Sequence, residues 1–174
     1  GSVHANPAAV KPLDGRLKKK VVRKKLNLPS VADTQRLFAA MEQNGSRGGW
    51  GKECADFCRF LSYSGCRLGE VAQIKWQDVD WRKRQLHVRG FKTETSDRFV
   101  PFFTELEELL KKIIERRKNA ARFSPDGKPF LAPTDSLFRM SECQKTINKA
   151  CTGLNLPRLT HHDFRHLFAT RCIE

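Results

Sequence analysis

Leu159-Thr160-His161-His162-Asp163-Phe164-Arg165-His166-Leu167-Phe168-Ala169-Thr170 reads as the start of a capped amphipathic helix. Thr160 serves as N-cap and Asp163 stands three residues on, the spacing of a capping box. Phe164, Leu167, Phe168 and Cys172 fall at helical intervals and form one apolar face. His162 and Arg165 are left on the other side, three apart and therefore neighbours. Both lie in the first turns, where free backbone N–H groups already favour an anion. A His and an Arg placed this way make a site for a phosphate.

The chain has 174 residues and a formal charge of +14. A chain of this size makes one compact domain that buries ~70% of its unfolded surface. Such an excess of positive charge bears on partners rather than fold, and it points to nucleic acid or another anionic surface. No apolar run approaches the ~20 residues that span a membrane, so a membrane is the weaker choice. The six cysteines are Cys54, Cys58, Cys66, Cys143, Cys151 and Cys172. None forms a C-x-x-C pair, and Cys54 and Cys58 share a helical face with Phe57 and Leu61, so they read as small buried hydrophobes in a reducing setting.

Residues 1–27 lack periodicity and read as a tag remnant and a basic linker, with Lys18, Lys19, Lys20, Arg23, Lys24 and Lys25 available to lie along a phosphate backbone. The ordered domain is expected over 28–174. Ser30 caps a first helix with Asp33 at its third position, and Gly45 closes it. A second helix runs from about Lys52 to Tyr63 and is broken at Ser64-Gly65. A third begins at Cys66, with Leu68, Val71 and Ala72 inward and Arg67 in its first turn. Residues 76–81 read as a loop. The period then changes to two: 85–89 and 98–102 make a hairpin with a polar turn at 93–97, Lys92 near its start, and Pro101 marking an edge. Thr104 caps a long helix with Leu106, Leu109, Leu110, Ile113 and Ile114 buried, and with Arg116, Arg117 and Lys118 in its last turn. Ser141 opens a further capping box, with Ile147, Ala150 and Cys151 inward and Gly153 as a stop. The fold class is mainly α with one small antiparallel β-sheet between the third and fourth helices (α+β).

Ser64-Gly65-Cys66-Arg67-Leu68-Gly69-Glu70-Val71, the hairpin Lys92 and the His162-x-x-Arg165 helix occur in that order. Together they resemble the catalytic domain of the tyrosine recombinase (phage integrase) family, from about Leu28 to the last residue. The resemblance implies the DNA breaking-rejoining fold and site-specific recombination or integration through a 3′-phosphotyrosine intermediate, without metal or cofactor. It implies double-stranded DNA as partner, a tetrameric assembly on DNA, and a cytoplasmic setting in a bacterium or phage-derived element. It also implies a linker joining the catalytic domain to a separate N-terminal DNA-binding domain.

Breaking a DNA strand without water or metal needs a nucleophile, a cradle for the phosphate and a proton for the leaving 5′ oxygen. Arg67 and Arg165 are the natural pair to hold the non-bridging oxygens through charge-assisted forks, which Lys could not match. His162 is of a type that accepts a proton near neutral pH, and the resemblance gives it that role. By the same resemblance Lys92 protonates the leaving oxygen. Glu70 is expected to orient Arg67 by ion pairing, His166 to support the site from behind, and His161 to be a satisfied or solvated histidine. The family's nucleophile is a tyrosine well downstream of H-x-x-R. The only tyrosine here is Tyr63, which reads as a packing residue, so the chain as it stands is expected to bind DNA without cleaving it. The competing readings are a non-catalytic basic nucleic-acid-binding domain and a type IB topoisomerase-like enzyme.

Overall fold

The computed structural model describes residues 27–44, 49–90, 97–121 and 132–172. Its centre is the helix Trp50–Ser64, here α2, which packs against α1 (Val31–Gln43), α4 (Thr104–Ala121) and α6 (His161–Arg171). The sequence of α2 explains that position. Cys54, Ala55, Phe57, Cys58, Phe60 and Leu61 are all fully buried and spread around the helix rather than along one stripe. The small α3 (Leu68–Val71) follows α2, and α5 (Gln144–Gly153) packs on α1. None of the described helices is long and apolar enough to cross a membrane.

Local capping matches the sequence at both ends of the chain. The Ser30 hydroxyl accepts the Asp33 N–H at 3.1 Å, which starts α1. Gly45 lies outside the described residues, and Asn44 is the C-cap. The α2 helix ends at Gly65, whose φ of +62° is the left-handed conformation that glycine adopts without penalty. At α6 the Thr160 N–H and hydroxyl both donate to Asp163 Oδ2, at 2.7 and 2.8 Å. The apolar face of α6 thins toward its end: Phe164 and Leu167 are buried, Phe168 is half-buried and Cys172 is exposed.

The sheet has three antiparallel strands in the order β1 (Val79–Asp80), β2 (Gln85–Val88), β3 (Arg98–Pro101). The segment 76–81, expected as a loop, is instead a single 3₁₀ turn, Trp76–Asp78, followed by β1. A two-residue strand is too short to show a period, and Val79 and Asp80 become a strand only by pairing with Leu86 and Gln85. Leu86, Val88 and Val100 point into the core, and Pro101 sits on the edge strand as expected.

Three other expectations are corrected. The α3 helix is one turn starting at Leu68, with Arg67 as its N-cap and Ala72 exposed, because Glu70 closes the turn onto Arg67. The α5 helix starts after Cys143 rather than Ser141: the Gln144 N–H bonds Glu142 at 2.9 Å, and its side-chain amide reaches Leu159 O at 2.7 Å. The α5 helix ends at Gly153 as expected, and Asn155 just after it takes the left-handed conformation (φ 53°). The α4 helix continues to Ala121, so Arg116 and Arg117 are interior residues. Arg116 Nη1 pairs with the buried Asp56 of α2 at 2.5 Å. Arg117 is buried and donates to Ser136 O and Leu137 O, at 3.0 and 2.7 Å, tying the 132–140 segment to α4.

Candidate active site

Two chain segments build the site. In the first, the Glu70 carboxylate reaches back one turn and accepts the Arg67 backbone N–H at 2.7 Å and its Nη1 at 2.9 Å. This is a cap run in reverse, with the acid holding the arginine that precedes its helix. A one-turn helix contributes little dipole, so Glu70 rather than the helix end positions Arg67. In the second, the capped start of α6 sets His162 and Arg165 on successive turns. Packing of α2 on α6 then brings the segments together. Arg67, Leu68 and Gly69 form one wall of a cleft of about 470 Å³, and Thr160, His162 and Arg165 form the other.

Within the cleft the groups differ sharply. Arg67 is exposed. Arg165 is partly buried, and its Nη1 is a buried donor with no hydrogen-bond partner among the described residues. Burial, and then the positive charge of Arg67, lowers the pKa of Arg165, while Glu70 opposes this. Glu70 itself is 6% exposed. Burial alone would push its carboxyl up; the Arg98 fork, with the Arg67 N–H and guanidinium, outweighs burial and holds it at about 2. His162 is exposed, and its ring meets that of His166 edge-on at 4.3 Å.

His161 also lines the cleft, but its ring packs edge-on against Phe57 of the core. It is buried, and its Nε2 accepts the Cys143 N–H at 3.0 Å. Burial lowers its pKa, so it stays neutral, the satisfied histidine of the two expected forms. Tyr63 is half-buried and packs against the core, as expected. Lys92 and the basic residues Lys18, Lys19, Lys20, Arg23, Lys24 and Lys25 lie outside the described residues.

Sequence reasoning missed Arg98. Its Nη1 and Nη2 bond the two Glu70 oxygens at 3.1 and 2.9 Å. A signal existed: Arg98 is two residues from Val100, so it shares the inward face of β3, where a cation needs a partner.

The description of the phage integrase family matches residues 31–174. The chain belongs to that family. A putative integrase/recombinase of Sinorhizobium fredii, y4rB, is 30% identical over 182 residues, covering 97% of this chain and 57% of that protein. A probable integrase/recombinase of Acholeplasma phage L2 is 30% identical over 118 residues, covering 68% and 39%. This member of the family thus spans about half the length of such relatives. Among solved structures, the Tn1549 transposon integrase in complex with transposon right end DNA superposes with a TM-score of 0.64, at 20% identity, over 87% of this chain and 55% of that one. The XerA recombinase does so with a TM-score of 0.58, at 21% identity, over 84% and 50%. The fold is therefore that of the tyrosine recombinase catalytic domains.

Proposed function

We propose that this integrase-family domain cradles a DNA phosphodiester during site-specific recombination by transesterification. One observation carries the reading: Arg165, which holds a buried guanidinium N–H with no partner among the described residues, lines a cleft together with Arg67 and His162. A buried donor left unpaired costs about 1–3 kcal/mol, a penalty that an anion in the cleft would remove. A non-catalytic basic domain gives no reason for that cost.

In the proposed reaction a tyrosine hydroxyl of the full-length protein attacks the scissile phosphorus. Arg67 and Arg165 hold the two non-bridging oxygens as negative charge grows on them. His162 accepts the tyrosine proton, and Lys92 gives a proton to the leaving 5′ oxygen. The phosphorus–oxygen bond to the 5′ side breaks as the 3′-phosphotyrosine bond forms. A 5′ hydroxyl of a second strand reverses the step, so the bond energy is retained without hydrolysis. Glu70 keeps Arg67 in place, and His166 backs the His162 ring. The basic segment Lys18 to Lys25 adds sequence-independent contact to double-stranded DNA. Assembly as a homo-oligomer on DNA, by resemblance a tetramer, and a cytoplasmic setting belong to the same proposal.

The test uses the full-length protein and a nicked suicide duplex whose product strand diffuses away. Wild type is expected to form a covalent protein–DNA adduct. Arg67→Ala and Arg165→Ala should each slow adduct formation by about 10²–10³-fold, taking loss of one preorganised oxyanion donor as the guide. DNA affinity should change little, because other basic residues supply it. Wild-type cleavage by either variant would mean that the phosphate clamp is misassigned.

A further inference from the structure

We propose that Arg98 is a positioning residue for the phosphate clamp: by filling both oxygens of Glu70 it limits that carboxylate to one guanidinium nitrogen of Arg67 and leaves the remainder of the Arg67 fork for substrate. The inference rests on the reading of the cleft as a phosphodiester site.

The geometry is a three-part chain. Arg98 meets Glu70 end-on, with Nη1 on Oε1 at 3.1 Å and Nη2 on Oε2 at 2.9 Å. Arg67 takes what is left, with its backbone N–H on Oε2 at 2.7 Å and Nη1 on Oε1 at 2.9 Å. Each carboxylate oxygen thus accepts two hydrogen bonds, which fills its lone pairs. Nε and Nη2 of Arg67 have no partner among the described residues.

Without Arg98 the strongest arrangement open to Glu70 is a two-pronged pair with Arg67, since arginine and carboxylate forks match. That pairing would draw Nη2 as well as Nη1 of Arg67 onto Glu70 and away from the cleft. Arg98 prevents it by occupying the fork-facing side of the carboxylate. It also sets the local charge. Arg67, Arg98 and Arg165 against Glu70 alone leave a surplus of two positive charges, suited to a phosphorane that gains a second negative charge during attack. Arg98 comes from outside both sequence motifs. It opens β3 opposite Val88, the last residue of β2, so the same bond ties the loop end of the β2–β3 strand pair to the cleft.

Lysine cannot reproduce this contact, because its ammonium lacks the planar fork that meets the two oxygens with parallel bonds. The experiment measures single-turnover adduct formation and DNA affinity for full-length wild type, R67A, R98Q, R98K, E70Q and E70Q/R98Q. R98Q and R98K are expected to slow adduct formation at least tenfold, with DNA Kd within twofold of wild type. In the E70Q background, adding R98Q should change the rate less than twofold, because the fork no longer has a carboxylate to hold. A structural role would instead lower affinity and melting temperature together, with or without Glu70. If R98Q does not fold, R98K carries the test. Wild-type rates in R98Q, or full rescue by R98K, would overturn the assignment while R67A stays inactive and the underlying function stands. An inactive wild type would overturn the functional reading and this inference together.

Discussion

Gly65 lies directly against the ring of Phe168: a β-carbon built on Gly65 would stand 2.4 Å from Phe168 Cδ1. The contact joins the end of α2 to the second half of α6. Arg67 follows Gly65 by two residues, and Arg165 precedes Phe168 by three. The close approach therefore sets how near the two arginine-bearing segments come.

Gly65→Ala is expected to destabilise the protein by about 2–4 kcal/mol. Part is the left-handed backbone at φ +62°, which costs an L-residue about 1–2 kcal/mol, and part is overpacking against the ring. Urea denaturation of the two proteins measures it. An unchanged midpoint would show that the Phe168 ring moves aside freely and that the backbone relaxes.

Glu70 makes stability depend on pH in acid. Folding lowers its pKa from the ordinary 4.5 to about 2, so the unfolded chain binds the proton more readily. The contribution is complete above 4.5 and is lost as pH falls from there through about 2. A lowering of that size corresponds to about 3 kcal/mol. Wild type should exceed Glu70→Gln in stability at neutral pH, and the gap should close across this acid window. A gap independent of pH would show that the carboxylate charge is not what the two arginines hold.

Arg117 is the buried cation of α4. Its bonds to Ser136 O and Leu137 O, and its guanidinium 5.5 Å from the centre of the Trp76 ring, hold the 132–140 segment. Arg117→Ala strands two carbonyls in the interior and should cost about 2–4 kcal/mol. Thermal melting measures the loss, and melting at the wild-type temperature would mean that water replaces the guanidinium without penalty.

Adjacent histidines should separate stability from chemistry. His161→Ala removes the acceptor of the Cys143 N–H and should cost about 1–3 kcal/mol, with the adduct-forming rate of folded full-length protein preserved. Because burial lowers the His161 pKa, its contribution is complete above the ordinary 6.5 and declines as pH falls below that. His162→Ala should do the reverse, leaving melting near wild type and slowing adduct formation by about 10²–10⁴-fold. Equal effects of the two changes on rate would contradict the roles assigned to them.

Agreement between sequence and structure follows the range of the interactions. The Ser30 and Thr160–Asp163 helix starts and the Arg67–Glu70 ion pair were readable because each closes within three residues. The hairpin was readable because β2 alternates half-buried and buried positions. The short β1 and the late start of α5 were not, since Val79 takes its partner from Leu86 and Gln144 takes one from Leu159 O. Arg117 read as a helix-end charge because nothing near it in sequence reveals the carbonyls of 136 and 137.

By itself the sequence determined the helical class, the two capped segments and the residue types that suit a phosphate, because capping and periodicity act over one or two turns. Tertiary structure alone decided that Arg67 and Arg165 share a cleft, that Phe168 closes on Gly65, and that Arg98 joins Glu70 across 28 residues of chain. The physical reason is that a buried carboxylate takes its partners from whatever cations the packing brings to it, and packing depends on the whole core rather than on neighbours in the sequence.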